Sequence, residues 1–245
     1  MFRILAACSL GLAAATAMPA IHAHPQKEWR SSLDDGERIS ASWAATGRFE
    51  QVTLASRDNV AITRGDRWRV RASGSPDVLA ELRFKIKDQQ LIIGRRWRED
   101  PVDGIATIQV TAPSVDGVTL AGSGNLSIDR MDASEVGATL AGSGTIDVGR
   151  IATRQLAATV AGTGNLRLAG RAEDGAITIA GSGDIDGQQL RMGRATVSIA
   201  GSGDARFNAD DSVSASIVGS GDAVVSGTTD CTQTRMGSGR LTCSR

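Results

Sequence analysis

Apolar and polar residues alternate one by one on both sides of a short glycine phrase, and that phrase returns seven times between Val118 and Leu241. It reads Ala121-Gly122-Ser123-Gly124 at its first appearance and Met236-Gly237-Ser238-Gly239 at its last, with first glycines at 122, 142, 162, 181, 201, 219 and 237. The steps are 20, 20, 19, 20, 18 and 18 residues. Two residues before each first glycine stand Leu120, Leu140, Val160, Ile179, Ile199 and Ile217; four after it come Leu126, Ile146, Leu166, Ile185, Ala205 and Ala223. Thr, Ser, Asp, Arg and Asn fill most positions between. Period-two alternation on both sides of the glycines predicts two short strands per repeat, with a glycine corner that tolerates positive φ. The rest of each repeat leaves room for one more short strand or loop.

A single repeat of this kind cannot bury its own inward side chains. Stacked at ~4.8 Å per coil, the repeats place like residues over like and enclose a shared apolar interior. The pattern therefore predicts an all-β fold, a single-stranded parallel β-helix with coils of about 18–20 residues, right-handed as parallel crossovers are. A propeller blade needs about twice that period, and leucine-rich repeats need a Leu and Asn spacing that is absent.

The pattern extends upstream in degenerate form. Val52 to Ile62 can be laid residue for residue over Val118 to Ile128, with Ser56-Arg57-Asp58 in place of Gly-Ser-Gly. Residues 48–117 are thus expected to form irregular N-terminal coils and 118–245 the regular ones. Trp43, Trp68 and Trp97 cluster near this end and are expected to help cap the core, as terminal repeats must. At the other end Arg235 and Gln233 occupy inward positions, suited to a last coil that meets water. Cys231 and Cys243 lie six residues either side of Gly237, both at inward positions, which predicts a disulfide across the open end.

The segment before the repeats has a different character. Residues 1–23 carry Arg3, an uncharged apolar run from Ile4 to Ala17, and then small residues with Pro19. That is the pattern of a secretory signal peptide, with cleavage expected after Ala23 and a second plausible point after Ala17. Leu5-Ala6-Ala7-Cys8 has the form of a lipobox but comes too early to act as one. Residues 24–47 are polar and are expected to be a lead-in or tether. No later stretch is apolar for the ~18 residues that cross a bilayer. The expected location is extracytoplasmic, in the periplasm or at the cell surface, where a disulfide persists.

Composition narrows the chemistry. Net charge is 0 with 27 bases and 27 acids, which argues against a general nucleic-acid binder. There are two histidines, His22 and His24, both before the repeats, and no tyrosine. Serine–histidine or cysteine–histidine catalysis and a histidine zinc site have nothing to be built from in the repeat region. Asp184, Asp204 and Asp222 fall at equivalent places on successive coils. Stacked ~4.8 Å apart they repel by about 1 kcal/mol per pair even in water. The plain expectation is that each caps its own glycine corner through backbone N–H groups; the alternative is a weak calcium site. A second candidate surface is basic. Residues 61–100 hold ten Arg or Lys against six Asp or Glu, and Arg69, Arg71, Arg83, Lys85 and Lys87 alternate with apolar residues. All five are expected to point outward, as a solvated face or a patch for an anionic glycan.

Phe49-Glu50-Gln51-Val52, Asn59 to Asp66, Leu91-Ile92-Ile93-Gly94, Ile108 to Pro113 and the Gly-Ser-Gly-(Asp/Asn) ladder together resemble the head GIN domain family of auto-transporter adhesin heads, over roughly residues 48–243. The resemblance implies a β-helical, extracytoplasmic domain. No membrane barrel is expected after Arg245, so only the adhesin part of the description is carried forward. The function expected is non-enzymatic: a binding, adhesin-like or structural envelope module without a cofactor, its partner an anionic glycan or another envelope protein. The alternative is a carbohydrate-active β-helix enzyme, a lyase or hydrolase using surface carboxylates. Such an enzyme should interrupt its coils with long loops that wall a cleft, and the spacing here varies by only two residues.

Overall fold

The computed structural model describes residues 33–245. The expected signal peptide with its expected cleavage after Ala23, Cys8 and both histidines lie outside the described residues. The chain begins with β1 (Glu37–Arg38), β2 (Ala44–Ala45), β3 (Gln51–Ala55), β4 (Asn59–Arg64) and β5 (Arg69–Ser73). A single-turn helix α1 (Pro76–Glu81) follows, then β6 (Leu82–Lys87), β7 (Gln90–Arg95) and β8 (Thr107–Ala112). The regular part runs through β9 (Gly117–Leu120), β10 (Asn125–Ile128), β11 (Met131–Asp132) and β12 (Glu135–Gly142). Four long strands then bend around the coil: β13 (Thr145–Gly162), β14 (Asn165–Gly181), β15 (Asp184–Gly201) and β16 (Ala205–Gly219). The coil ends with β17 (Ala223–Ser226), β18 (Cys231–Gly237) and β19 (Leu241–Ser244).

This is the stacked solenoid the alternation predicts. From β9 to β18 neighbouring coils pair in parallel, and each first glycine lies over the next, Gly142 on Gly162, Gly181, Gly201, Gly219 and Gly237. The inward column Leu120, Leu140, Val160, Ile179, Ile199 and Ile217 is at most 1% exposed. Each of these burials stabilises the fold by roughly 1.5–3 kcal/mol relative to exposure. A first face ends at the glycine corner and a second begins after it. A short third side, where Met131 pairs with Ile151, uses the room left in the repeat. Met131, Ile151 and Met192 fill that side, and Met192 sits where a side chain at Gly175 would otherwise be.

Neither glycine of a corner leaves room for a Cβ against the backbone one coil away, and only the first also adopts positive φ. The first takes a left-handed backbone, as at Gly162 with φ +137°. The second is needed for stacking distance: a Cβ on Gly183 would overlap the carbonyl oxygen of Gly164 and the Val160 side chain one coil away. Positive φ, the expectation for both glycines, therefore accounts for only the first.

At the N-terminal end the stacking order departs from chain order. Val52 pairs with Val118, Leu54 with Leu120, Val60 with Leu126 and Ile62 with Ile128, the superposition the sequence suggests. Yet β3 and β4 are not the outermost coil. β7 and β8 pair in parallel with their far sides, Leu54 to Ile93 and Ile62 to Val110. The chain makes one coil, leaves it, and returns to lay another beyond it. The stacking is then closed by antiparallel strands: β6 along β7 and β5 along β8, with β1 along β6 and β2 along β5. Phe49, Val78, Leu82 and Phe84 fill this end of the core. The described part of the expected tether, residues 33–47, is thus built into the cap.

Candidate functional site

The Asp row forms a ladder between coils. Asp184 Oδ1 accepts the backbone N–H of Asp204 at 2.8 Å, Asp204 Oδ1 that of Asp222 at 2.9 Å, and Asp222 Oδ1 that of Arg240 at 2.8 Å. The carboxylates bond backbone N–H groups as expected, but those of the next coil instead of their own corner. Arg206 donates to Asp204 Oδ2 at 3.0 Å, and a neighbouring column alternates Asp147, Arg167, Asp186 and Arg206 in register. Donated N–H groups and interleaved guanidinium charges offset the repulsion along the row. Each carboxylate is engaged one coil further along, so the three do not converge on a point. Among the described residues no group of three or more His, Cys, Asp or Glu is placed to hold a metal ion.

The basic patch does not assemble. Arg83 is 5% exposed, against the expectation that it points outward. The cause is β1 and the turn before it: Arg38 pairs with Arg83, and Gly36 lies against its Cβ. The Arg83 guanidinium donates to the carbonyls of Ala80 and Leu82 at 2.9 and 2.8 Å. Burial, then the charges of Arg38 and Arg96, lower its pKa. Arg69 and Arg71 stack on the Trp43 ring at 5.0 and 4.7 Å from its centroid, and Arg71 also donates to Gln109 at 2.7 Å. Both are on β5, which extends the second face. Lys85, half-buried, and Lys87, exposed, are on β6, which extends the first. The five residues do not share a surface. Of the tryptophans, Trp68 packs on the core and donates to the Phe49 carbonyl at 2.9 Å, whereas Trp97 is 53% exposed.

Cys231 and Cys243 are joined as the inward positions predict, their Cα atoms 6.7 Å apart across the last coil. Beside them Gln233 reaches the Gly239 carbonyl at 3.4 Å.

One buried constellation escaped the sequence. Asp58, where the regular repeat has its second glycine, is fully buried. Its Oδ1 accepts from Arg95 Nη2 at 2.6 Å and from the Ala106 N–H at 2.8 Å; its Oδ2 accepts from Arg95 Nε at 2.8 Å and from the Ser56 hydroxyl at 2.9 Å. Arg95 reaches on to the carbonyls of Val102 and Gly104. The bond to Asp58 is the main reason the Arg95 pKa is raised. This pair locks the returning coil, and the loop between β7 and β8, onto the coil made first. The signal was an acid replacing a glycine in an otherwise faithful copy; its partner, 37 residues on, had none.

The remaining surface divides by face. The second face and third side carry charge, including Arg191 with Asp210 at 3.1 Å. The first face presents columns of Thr or Ser and of Ala. Along its rim runs an open groove of about 700 Å³ past Gln155, Asp174, Arg194, Ser212 and Asp230, where Arg194 and Asp174 pair across coils at 2.7 Å.

These features define a repeat-built β-solenoid whose long sides are its accessible surface. Residues 48–229 match the family described as "Putative auto-transporter adhesin, head GIN domain", and the chain belongs to that family. Its fold is shared by a putative adhesin from Bacteroides fragilis, at 20% identity and TM-score 0.73, covering 85% of this chain and 100% of that one. A putative adhesin from Parabacteroides merdae superposes at TM-score 0.66 with 18% identity, covering 85% and 96%. A protein from Parabacteroides distasonis described as a putative lipid binding protein does so at 0.67 with 18% identity, covering 85% and 100%. No curated protein matches the sequence. Among the described residues no helix is long and apolar enough to cross a membrane.

Proposed function

We propose that this chain is a non-enzymatic, extracytoplasmic, adhesin-like module that binds its partner along the side of the solenoid. The observation that carries the reading is the parallel register of the first face, which runs without a shift from Gly117–Leu120 to Cys231–Gly237 while the bulges fall on the other sides of the coil. Coils in continuous register give a straight, rigid side, and the rim groove crosses several of them. That geometry suits an extended ligand laid across the coils, and regularity of this kind leaves the side walls low. Membership of an adhesin-head family and the likeness to adhesin-described folds support the same reading. The apolar leader and the Cys231–Cys243 bridge support an oxidising, extracytoplasmic location.

The test combines fractionation with binding. The mature protein is expected in the envelope or secreted fraction with an N-terminus at His24. It should retain envelope glycans or envelope proteins without altering them, and Arg194→Glu in the groove should weaken retention. Release of new reducing ends or unsaturated sugars from any glycan offered would overturn the proposal, as would a cytoplasmic location.

A further inference from the structure

We infer that the first face is a self-association surface, and that its occupant is the same face of a second copy of this chain. Outward on this face a hydroxyl column runs from Thr119 through Thr159 and Thr178 to Thr234, in register coil by coil. Beside it a methyl column runs from Ala141 through Ala161 and Ala180 to Val218 and Met236. Neither column holds a formal charge, whereas the second face carries the alternating Asp147–Arg167–Asp186–Arg206 column. The strip ends in Val218 and Met236, 50% and 74% exposed, two of the five large apolar side chains left in solvent among the described residues.

The chain itself shows what such a surface does when covered. At the N-terminal end of the same face the Leu33 side chain lies against Gly94, and the outward Ile92 and Thr53 are 5% and 0% exposed. The Thr53 hydroxyl there is buried without a hydrogen-bond partner. Leu33 and Ile92 stand apart from the main core cluster, so this is packing onto the outside of the solenoid. The open part of the face continues the same columns, Thr53 pairing with Thr119.

Three arguments select a second copy as occupant. Its coils repeat at the same ~4.8 Å, so side chains of one strip fall between those of the other along the whole length, as in stacked sheets ~10 Å apart. An uncharged strip meeting itself buries no unpaired charge, whereas a polyanion would find nothing to pair with there. The area is also sufficient: about seven residues across at ~3.3 Å and seven coils at ~4.8 Å give roughly 700–800 Å² per partner, close to the ~800 Å² of a standard interface. A two-fold arrangement satisfies both copies at once.

Sedimentation of the purified protein from about 1 to 500 µM tests this, with a dimer of micromolar Kd expected for an interface of this size. Thr178→Lys, at the middle of the strip, should raise that Kd at least tenfold while leaving the melting temperature and far-UV spectrum unchanged. Asn165→Lys, exposed on the second face, should leave it unaltered. Should Thr178→Lys fail to fold, Ser198→Lys on the next coil serves in its place. A protein monomeric throughout the range overturns the inference, even if the strip retains some other ligand. So does a dimer that Thr178→Lys and Ser198→Lys leave intact, or that Asn165→Lys disrupts equally.

Discussion

Removing the Asp58 carboxylate should detach the N-terminal cap from an otherwise intact solenoid. In Asp58→Ala the Arg95 guanidinium, its side chain 13% exposed, loses both bonds to its counter-charge, and the Ala106 N–H and Ser56 hydroxyl lose their acceptor. Breaking a buried pair from one side costs about 3–5 kcal/mol. Arg95 keeps the Val102 and Gly104 carbonyls, which places the expected loss near the lower end, at about 3 kcal/mol. Because each coil contacts only its neighbours, the loss should be local. Trp68 fluorescence reports the cap, and far-UV circular dichroism reports the coils. In guanidinium titrations the fluorescence transition should move to lower denaturant while the circular dichroism transition lags behind it. Hydrogen exchange should quicken in β7 and β8 and hold in β13 to β16. Asp58→Ala with Arg95→Met, which removes both charges, should recover most of the stability. A single variant that loses less than about 1 kcal/mol, or loses protection evenly along the chain, would refute the latch.

Glycine substitutions should divide by position. Gly183→Ala forces a Cβ into the Gly164 carbonyl and should cost about 3 kcal/mol or more, whereas Gly137→Ala, with no atom within 4 Å of the added Cβ, should stay within about 0.5 kcal/mol; thermal melts separate the two. Asp204→Ala leaves the Asp222 N–H without its acceptor and should cost about 1 kcal/mol, while Asp204→Asn, which still accepts, should cost less. Asp116 has a buried Oδ1 without a partner, and burial together with the nearby Glu50 charge raises its pKa. A carboxyl whose folded pKa is raised favours the fold while protonated and loses that contribution as pH climbs through its titration. Asp116→Asn should therefore raise the melting temperature at pH 7, with the gain vanishing below about pH 4, where unfolded carboxyls also take up protons. Reducing the Cys231–Cys243 bridge, which closes a separation of 12 residues, should cost about 3 kcal/mol and fray β18 and β19 first.

Much of this structure was legible because a solenoid repeats its own solution. The glycine spacing, the Leu and Ile columns and the inward cysteines each recur or occupy recurring places, so one coil explains the next. The cap offers no such redundancy. The Leu91–Ile93 and Ile108–Val110 strands read as apolar runs, but nothing local says that they lie beyond Val52–Ile62 and not between it and Val118. That order is set by long-range pairing and by Asp58 with Arg95. Arg83 departs from the outward expectation for a related reason: alternation tells which side a residue faces, and the outer side of β6 is covered at Arg83 once Gly36 and Arg38 fold over it. The uncharged first face is written in the sequence as Thr and Ala at fixed offsets, but small uncharged side chains carry no signature of a binding chemistry.

The displaced order of the first coils also bears on how the chain assembles. The first coil strands to be synthesised, β3 and β4, finish as an interior layer with neighbours on both flanks. They act as a seed from which the stack extends in two directions: outward through the returning β7 and β8, and away from them through β9 and β10. A nascent chain halted just after Ala112 has only one flank of that seed covered. Its other flank, an open parallel edge, stays available to any strand that reaches it until residues 117–128 emerge.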